Sequence, residues 1–393
     1  MKITVRSGLK DIAKFASLVP ERKKHFKNGS EKPIPKTYKV NETAKLLHPK
    51  KQLLKIIKTE QLSDDVKCFT FESASDTPLA FARAGQYICL RLNIGNSVVS
   101  RPYSLCSSPK ESLAGNYKIA VKLVGEGFVS GYILENFKVG DVIEASAPQG
   151  NFCYEPLRDM PHVIGIAGGS GITPFLSFMK AAADGDEDMA MTLIYGVKTE
   201  NDILFKAELD SLAEKCENLN VVYVLSDSAA EGYEHGFITK ELIEKYAPES
   251  YSVFLCGPNA MYNFVGAELQ KMNLRRKLIR FEVFGEVKNP QALNGFPEQS
   301  KDKTYSCKVI IRGKQAGVIP CKSNESILTA LERSGILIDS GCRSGECGLC
   351  RTKLISGEVF IPDETEHRRE GDIKYGYIHP CCTYPTDDIV IGY

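Results

Sequence analysis

Ser340-Gly341-Cys342-Arg343-Ser344-Gly345-Glu346-Cys347-Gly348-Leu349-Cys350, joined much later by Cys381, decides how this chain is read. The spacing C-x4-C-x2-C, then a long gap and a last Cys, is that of the ligands of a plant-type 2Fe–2S cluster. Three glycines interleave with the cysteines, as expected where backbone amides crowd around sulfur. Zinc favours two C-x2–4-C pairs, and here there is one C-x2-C with two outliers. A disulfide framework does not suit a chain this long without a signal peptide. Cys381 and Cys382 are adjacent, so in an extended segment only one of them would face a cluster.

The rest of the 393 residues is ordinary: 43% hydrophobic, 25% charged, formal net charge +1. Nothing in that balance points to nucleic acid. The longest uncharged run, Val163 to Met179, is broken by glycines and Pro174, so no membrane-spanning helix is expected. Thirteen cysteines without an export signal point to a reducing compartment, the cytoplasm. Cys68, Cys89, Cys106, Cys153, Cys216, Cys307 and Cys321 read as small core residues.

Five segments follow from patterning. Residues 1–50 form a basic extension with 13 Lys and Arg against 4 Asp and Glu, a net charge of +9. An amphipathic helix is expected over Lys10 to Leu18, broken later by Pro33 and Pro35. This extension is expected to be a solvated tail, a strap packed on the next domain, or a peripheral docking arm for an acidic partner or membrane surface. Residues 51–157 alternate apolar and polar positions between turns, as in Ile88, Leu90, Leu92 and in Ile119, Val121, Leu123, which predicts an antiparallel barrel or sandwich. Residues 158–285 alternate strands and helices, which predicts an α/β unit with a parallel sheet. Residues 286–303 read as a linker. Residues 304–393 form a smaller unit whose helix is capped by Ser323 or Asn324 and ended by Gly335.

Two further motifs carry chemistry. Ile164-Gly-Ile-Ala-Gly-Gly-Ser-Gly-Ile-Thr-Pro174 runs a strand into a glycine turn and a helix, with Thr173 as N-cap and Pro174 as first helical residue. Such a helix start suits a pyrophosphate, with Gly168, Gly169, Ser170 and Gly171 as bare backbone. Phe254-Leu-Cys-Gly-Pro258 repeats the strand–turn–helix pattern and puts Cys256, Gly257 and Pro258 at a sheet's ligand edge. In the barrel, Arg101-Pro-Tyr-Ser104 offers a guanidinium, an aromatic plane and a hydroxyl, and Gly125 to Ser130 a second backbone site for phosphate. Nicotinamide gives up electrons in pairs whereas a 2Fe–2S centre takes one, so a flavin is the expected go-between.

On these motifs the chain resembles the ferredoxin–NADP⁺ reductase superfamily, in the branch ordered flavin barrel, nicotinamide domain, C-terminal plant-type ferredoxin. It is similar to reductase components of phenylacetyl-CoA epoxidase and ring-hydroxylating oxygenases and to the hybrid-cluster-protein reductase. The resemblance implies that Arg101 holds the flavin phosphate, Tyr103 packs against the ribityl and ring, and Ser104 reaches toward N5. It further implies that Gly127 and Ser130 line the pyrophosphate. By the same resemblance Cys256 is expected near the hydride path, Glu282 is expected to orient the nicotinamide and Phe284 to cover the flavin. It also implies a β-grasp ferredoxin fold with Cys342, Cys347, Cys350 and Cys381 as ligands, FAD rather than FMN, and a protein electron acceptor. Asp227, past the strand Val221–Leu225, would bond a ribose 2′-OH and repel a 2′-phosphate, favouring NADH, while Lys198 pulls toward NADPH. The expectation is an NADH-dependent reductase passing hydride to FAD and single electrons through the cluster to an oxygenase component. The alternatives are a hybrid-cluster protein or other anaerobic redox enzyme as acceptor, or a redox sensor or scaffold with incidental turnover.

Overall fold

The computed structural model describes residues 8–29, 37–125 and 127–393, so the expected break at Pro33 and Pro35 lies outside the described residues. Near the N-terminus a helix spans Leu9–Lys27, longer than patterning suggests, with Pro20 inside it; a second helix spans Lys39–Leu47. Ile12, Phe15, Val19 and Phe26 stand exposed on the first. Among the described residues no helix is long and apolar enough to cross a membrane.

The first sheet comprises β1 (Gln52–Ser63), β2 (Val66–Ser73), β3 (Tyr87–Ile94), β4 (Ser97–Ser104), β5 (Tyr117–Lys122) and β6 (Val142–Ala145), ordered β4-β3-β6-β1-β2-β5. Every pairing is antiparallel. A bridge between Leu105 and Ile119 brings the two edges together, closing the sheet into a barrel. Leu54, Ile56, Phe69, Phe71, Ile88, Leu90 and Tyr117 fill it.

The second sheet comprises β7 (His162–Gly168), β8 (Ala190–Val197), β9 (Leu219–Leu225), β10 (Glu234–His235), β11 (Ser252–Cys256) and β12 (Ile279–Glu282). All are parallel, in the order β10-β9-β8-β7-β11-β12. Their near-continuous apolar sequences follow from burial on both faces. Val163 and Ala167 serve one core, and Ile164 and Ile166 the other. The chain works outward from β7, then returns to lay β11 on β7's other side. That reversal opens a crevice at the C-terminal ends of β7 and β11. Phe152, leaving the barrel, packs on Phe175, Phe178 and Phe254 of this unit, with ring centroids 5.2–6.0 Å apart. The buried Arg280–Asp159 pair adds a second joint, Arg280 also donating to the carbonyls of Asn151 and Cys153. Breaking such a pair strands a charge.

The C-terminal sheet contains β13 (Thr304–Ile311), β14 (Lys314–Lys322), β15 (Thr352–Ser356), β17 (Tyr377–Ile378) and β19 (Ile389–Gly392), ordered β14-β13-β19-β15-β17. A two-stranded ribbon pairs β16 (Val359–Phe360) with β18 (Tyr384–Pro385). The helix Ile327–Arg333 supplies Ile327, Leu328 and Leu331 to the core. Its cap is Ser326, which accepts from the Thr329 amide at 3.0 Å, not Ser323 or Asn324. Ser323 is buried and bonded to Gln291, so it does not serve as a cap. Gly335, at φ +72°, follows the helix end. Residues 286–303 are packed rather than loose: Pro290, Phe296 and Ser300 are buried, and Phe296 meets Phe360 edge-on at 5.1 Å.

Candidate functional site

The cysteine loop lies between the helix Ile327–Arg333 and β15, with Cys342, Cys350 and Cys381 buried and Cys347 exposed. The amides of Ser344 and Cys347 donate to Cys342 Sγ at 3.4 and 3.3 Å. A hydrogen bond from the Cys347 thiol, with these amides, holds the Cys342 thiol below its ordinary range against the opposing effect of burial. Cys350 and Cys381 sulfurs stand 3.5 Å apart. Gly345 and Gly348 take φ +88° and +69°, and a Cβ on Gly341 would press within 3.2 Å of Cys347 Sγ. Among the described residues no three His, Cys, Asp or Glu gather as around a single ion. The thiols stand instead as two pairs, a donor set that fits two irons. The adjacent cysteines sit in a short turn, Pro380–Cys382, rather than the extended segment considered from sequence. Cys381 meets Cys350, whereas Cys382 faces the carbonyls of His379 and Thr365.

At the crevice, a tight turn Gly169–Ile172 links β7 to the helix Thr173–Asp184. Thr173 is already helical and donates to the Ser170 carbonyl at 3.1 Å, so it is not the N-cap; Ile172 holds that place. Backbone contact excludes a side chain at Gly171, and Gly169 takes φ +52°. A Cβ on Gly171 would stand 2.3 Å from the Cys256 carbonyl oxygen, and one on Gly168 2.4 Å from Met261 sulfur. A cleft of about 440 Å³ opens here, lined by Gly168, Gly169, Lys198, Ser226, Pro258 and Met261, with Asp65 and Lys122 of the barrel across from them. Asp227 stands just outside the lining, exposed, accepting from Ser226 Oγ at 2.6 Å.

On β4, Ser104 Oγ donates to Glu282 Oε2 at 3.0 Å. Burial lifts the Glu282 carboxyl to about 8, against the lowering effect of that hydrogen bond and with Glu346 adding to the rise. Burial also pushes the Cys256 thiol well up, so it is a neutral apolar wall rather than a nucleophile. Tyr262 Oη accepts from the Gly257 amide and donates to the Glu282 carbonyl, tying the end of β11 to the end of β12. Tyr103 packs against the barrel core, half-buried. Arg101 is paired with Glu332 at 2.8 Å. Past β5, Ser130 Oγ accepts from the Val124 amide at 3.1 Å, and a Cβ on Gly127 would collide with both residues. The bare backbone here fits a pyrophosphate.

The three places meet at the end of β12. Phe284 stacks edge-on against Tyr87 at 5.1 Å. A Cβ on Gly341 would lie 2.7 Å from Tyr87 Oη. The Gly285 amide donates to the Cys342 carbonyl at 3.2 Å, and Ser344 Oγ to the Val283 carbonyl at 2.9 Å. Thus Ser104, Glu282, Phe284, Tyr87 and the cysteine loop are consecutive neighbours. Tyr87, Tyr262, Glu286, Glu332 and Arg343 escaped sequence reading: all but Tyr262 act through partners far away in the chain, and no motif marks Tyr262.

A closed antiparallel barrel, a parallel nucleotide-type sheet and a four-thiol loop packed against one another define a flavin- and nicotinamide-dependent iron–sulfur reductase. Family models agree: an oxidoreductase FAD-binding domain over residues 53–154, an oxidoreductase NAD-binding domain over 166–267 and a 2Fe-2S iron-sulfur cluster binding domain over 309–386. The chain is 35% identical over 225 residues to NADH-cytochrome b5 reductase 1 of Dictyostelium discoideum, covering 56% of this chain and 77% of that protein. It is 28% identical to a component of the 1,2-phenylacetyl-CoA epoxidase of Escherichia coli K12, over 86% of this chain and 97% of that one. The solved phthalate dioxygenase reductase matches with a TM-score of 0.64 and 26% identity, over 87% of this chain and 98% of that one. The chain belongs to the ferredoxin–NADP⁺ reductase-type family of FAD- and NAD-binding oxidoreductases, in the branch with a C-terminal 2Fe–2S domain. It is an NADH-driven electron-transfer reductase working through FAD and a 2Fe–2S cluster.

Proposed function

We propose that the electrons leave this chain for an oxygenase component, as the relatives named for phenylacetyl-CoA epoxidase, glycine betaine monooxygenase and 3-ketosteroid-9-alpha-monooxygenase suggest. When bound, FAD takes an electron pair as hydride and releases electrons singly, and a 2Fe–2S cluster carries them one at a time. The chain's own residues bind and orient. Arg101 and the turn around Gly127 and Ser130 hold the flavin phosphates. Tyr103 and Phe284 would pack against a bound flavin, and Ser104 would offer its hydroxyl to it. Gly168 to Gly171, Thr173, Gly257 and Pro258 hold NADH, with Asp227 near the ribose, and Cys256 and Glu282 flank the nicotinamide. Cys342, Cys347, Cys350 and Cys381 hold the cluster. The work divides between residues 51–157 for FAD, 158–285 for NADH and 304–393 for the cluster, in the cytoplasm, with the basic segment 1–50 as a docking arm for an acidic acceptor.

The observation that carries this reading is the run of contacts from Ser104 through Glu282 and Phe284–Tyr87 to the Cys342 loop. Ser104→Ala and Cys347→Ser divide it. The first lowers NADH oxidation with every acceptor by about a hundredfold. The second abolishes only the cluster-borne route and spares ferricyanide reduction. Equal loss in both variants contradicts the reading. Removal of residues 1–50 should raise the KM for the acceptor and flatten its salt dependence; unchanged values refute the docking arm.

A further inference from the structure

A largely buried charge network, in which Arg101 is the one member with a binding role above, joins the barrel to the cysteine loop. Glu332, in the last turn of the helix Ile327–Arg333, is 1% exposed. Its Oε2 accepts from Arg101 Nη1 at 2.8 Å. Its Oε1 accepts from Arg343 Nη1 at 2.7 Å and from the Ser100 amide at 3.0 Å. Arg343, 4% exposed, separates Cys342 from Ser344 and takes a left-handed φ of +59°, rare for a side chain with a Cβ. Its fork also reaches the Ser100 carbonyl at 3.2 Å, Thr329 Oγ1 at 3.2 Å and the Glu286 carboxylate. Glu286 in turn accepts from Thr329 Oγ1 at 2.9 Å.

Two guanidiniums and two carboxylates are thus held together where barrel, helix, cysteine loop and the exit of β12 meet. Apolar packing would hold such a joint as well or better, so stability alone does not explain the charges. Their distinctive property is direction: a bidentate carboxylate fixes both guanidiniums in one register. Arg101 reaches the Ser100 carbonyl and Glu332 through Nη1, which leaves its Nε and Nη2 edge to meet a phosphate while Nη1 holds the carboxylate.

We propose that Glu332 is a positioning residue that seats the cysteine loop on the flavin barrel, gripping Arg343 and Arg101 together so that the flavin and cluster sites keep a fixed separation. This rests on Arg101 as the flavin-phosphate ligand and on Cys342 as a cluster ligand. The proposal adds no redox step: Glu332 neither gains nor loses electrons and acts only through the two guanidiniums that it holds.

The test uses the full-length holoenzyme. Glu332→Gln keeps the volume but removes the shared charge. FAD and iron content should stay at the wild-type ratio, and NADH–ferricyanide activity within about twofold. Cluster reduction, followed by stopped-flow absorbance after anaerobic mixing with NADH, should slow at least about tenfold. Hydrogen exchange in peptides covering 97–104 and 340–350 should accelerate by about as much, whether or not NADH is present. Glu332→Asp, which keeps the charge but shortens its reach, is read in the same way if the Gln variant fails to fold or load. Wild-type cluster-reduction rates with wild-type exchange, in whichever variant loads, overturn the proposal. The exchange readout stands even in flavin-free protein, so failure of the flavin assignment and failure of the docking role give different results.

Discussion

Gly171→Ala tests the crevice most sharply, since a single methyl decides the outcome. The added Cβ would stand 2.3 Å from the Cys256 carbonyl oxygen, 2.6 Å from its carbonyl carbon and 2.8 Å from the Gly257 nitrogen. All three are backbone atoms, and none can rotate away. Relief requires the turn Gly169–Ile172 to separate from the end of β11, at an overpacking cost of about 1–3 kcal/mol. For a unit of this size that lowers the melting temperature by roughly 2–4 °C per kcal/mol. The displaced turn is the one that lines the cleft, so the KM for NADH should rise about tenfold, with FAD and iron content unchanged. Gly266→Ala is the internal control. It lies in the helix Asn259–Gln270 with nothing within 4 Å of an added Cβ, so alanine should stabilise by about 0.5–1 kcal/mol. A Gly171→Ala protein with wild-type melting and wild-type KM would refute the steric reasoning.

Cys347→Ser should remove the iron–sulfur absorbance and the paramagnetic signal of the reduced cluster while leaving bound FAD at full occupancy; retained cluster signal contradicts the donor set. Glu282→Gln should alter the pH dependence of stability. The unfolded carboxyl loses its proton near 4.5 and the folded one near 8, so the native state binds the proton more tightly and loses stability as pH rises across that window, by a few kcal/mol in all. The Gln variant should flatten this slope in paired thermal melts; parallel curves would count against the buried carboxyl. Ser326→Ala should cost about 1 kcal/mol by freeing the Thr329 amide, seen as a lower denaturation midpoint, whereas Asn324→Ala should be nearly silent.

What the sequence disclosed was what depends on neighbours in the chain. The strands β7, β9 and β11 were legible because burial on both faces demands continuous apolar runs. The cysteine spacing was legible because a short loop must wrap its ligands locally. Errors arose where several local candidates competed. Ser323, Asn324 and Ser326 are all capping types, and tertiary contact with Gln291 takes Ser323 out of contention. Thr173 resembles a cap, but the tight turn before it already carries the chain into helical geometry. The stretch 286–303 has a linker's composition yet packs, since Phe296 meets Phe360 of the two-stranded ribbon edge-on. Least visible were the long-range charges: Arg101 and Glu332 are 231 positions apart, and no local periodicity signals such a pair.

The most direct measurement is an anaerobic titration of the FAD- and iron-replete protein with NADH, following flavin absorbance, cluster absorbance and the paramagnetic resonance of the reduced cluster together. The account predicts that both chromophores bleach and that uptake ends near roughly one and a half equivalents of NADH per chain, three electrons in total. Flavin that bleaches while the cluster stays oxidised, or no bleaching of either, would contradict a single path running from the crevice to the cysteine loop.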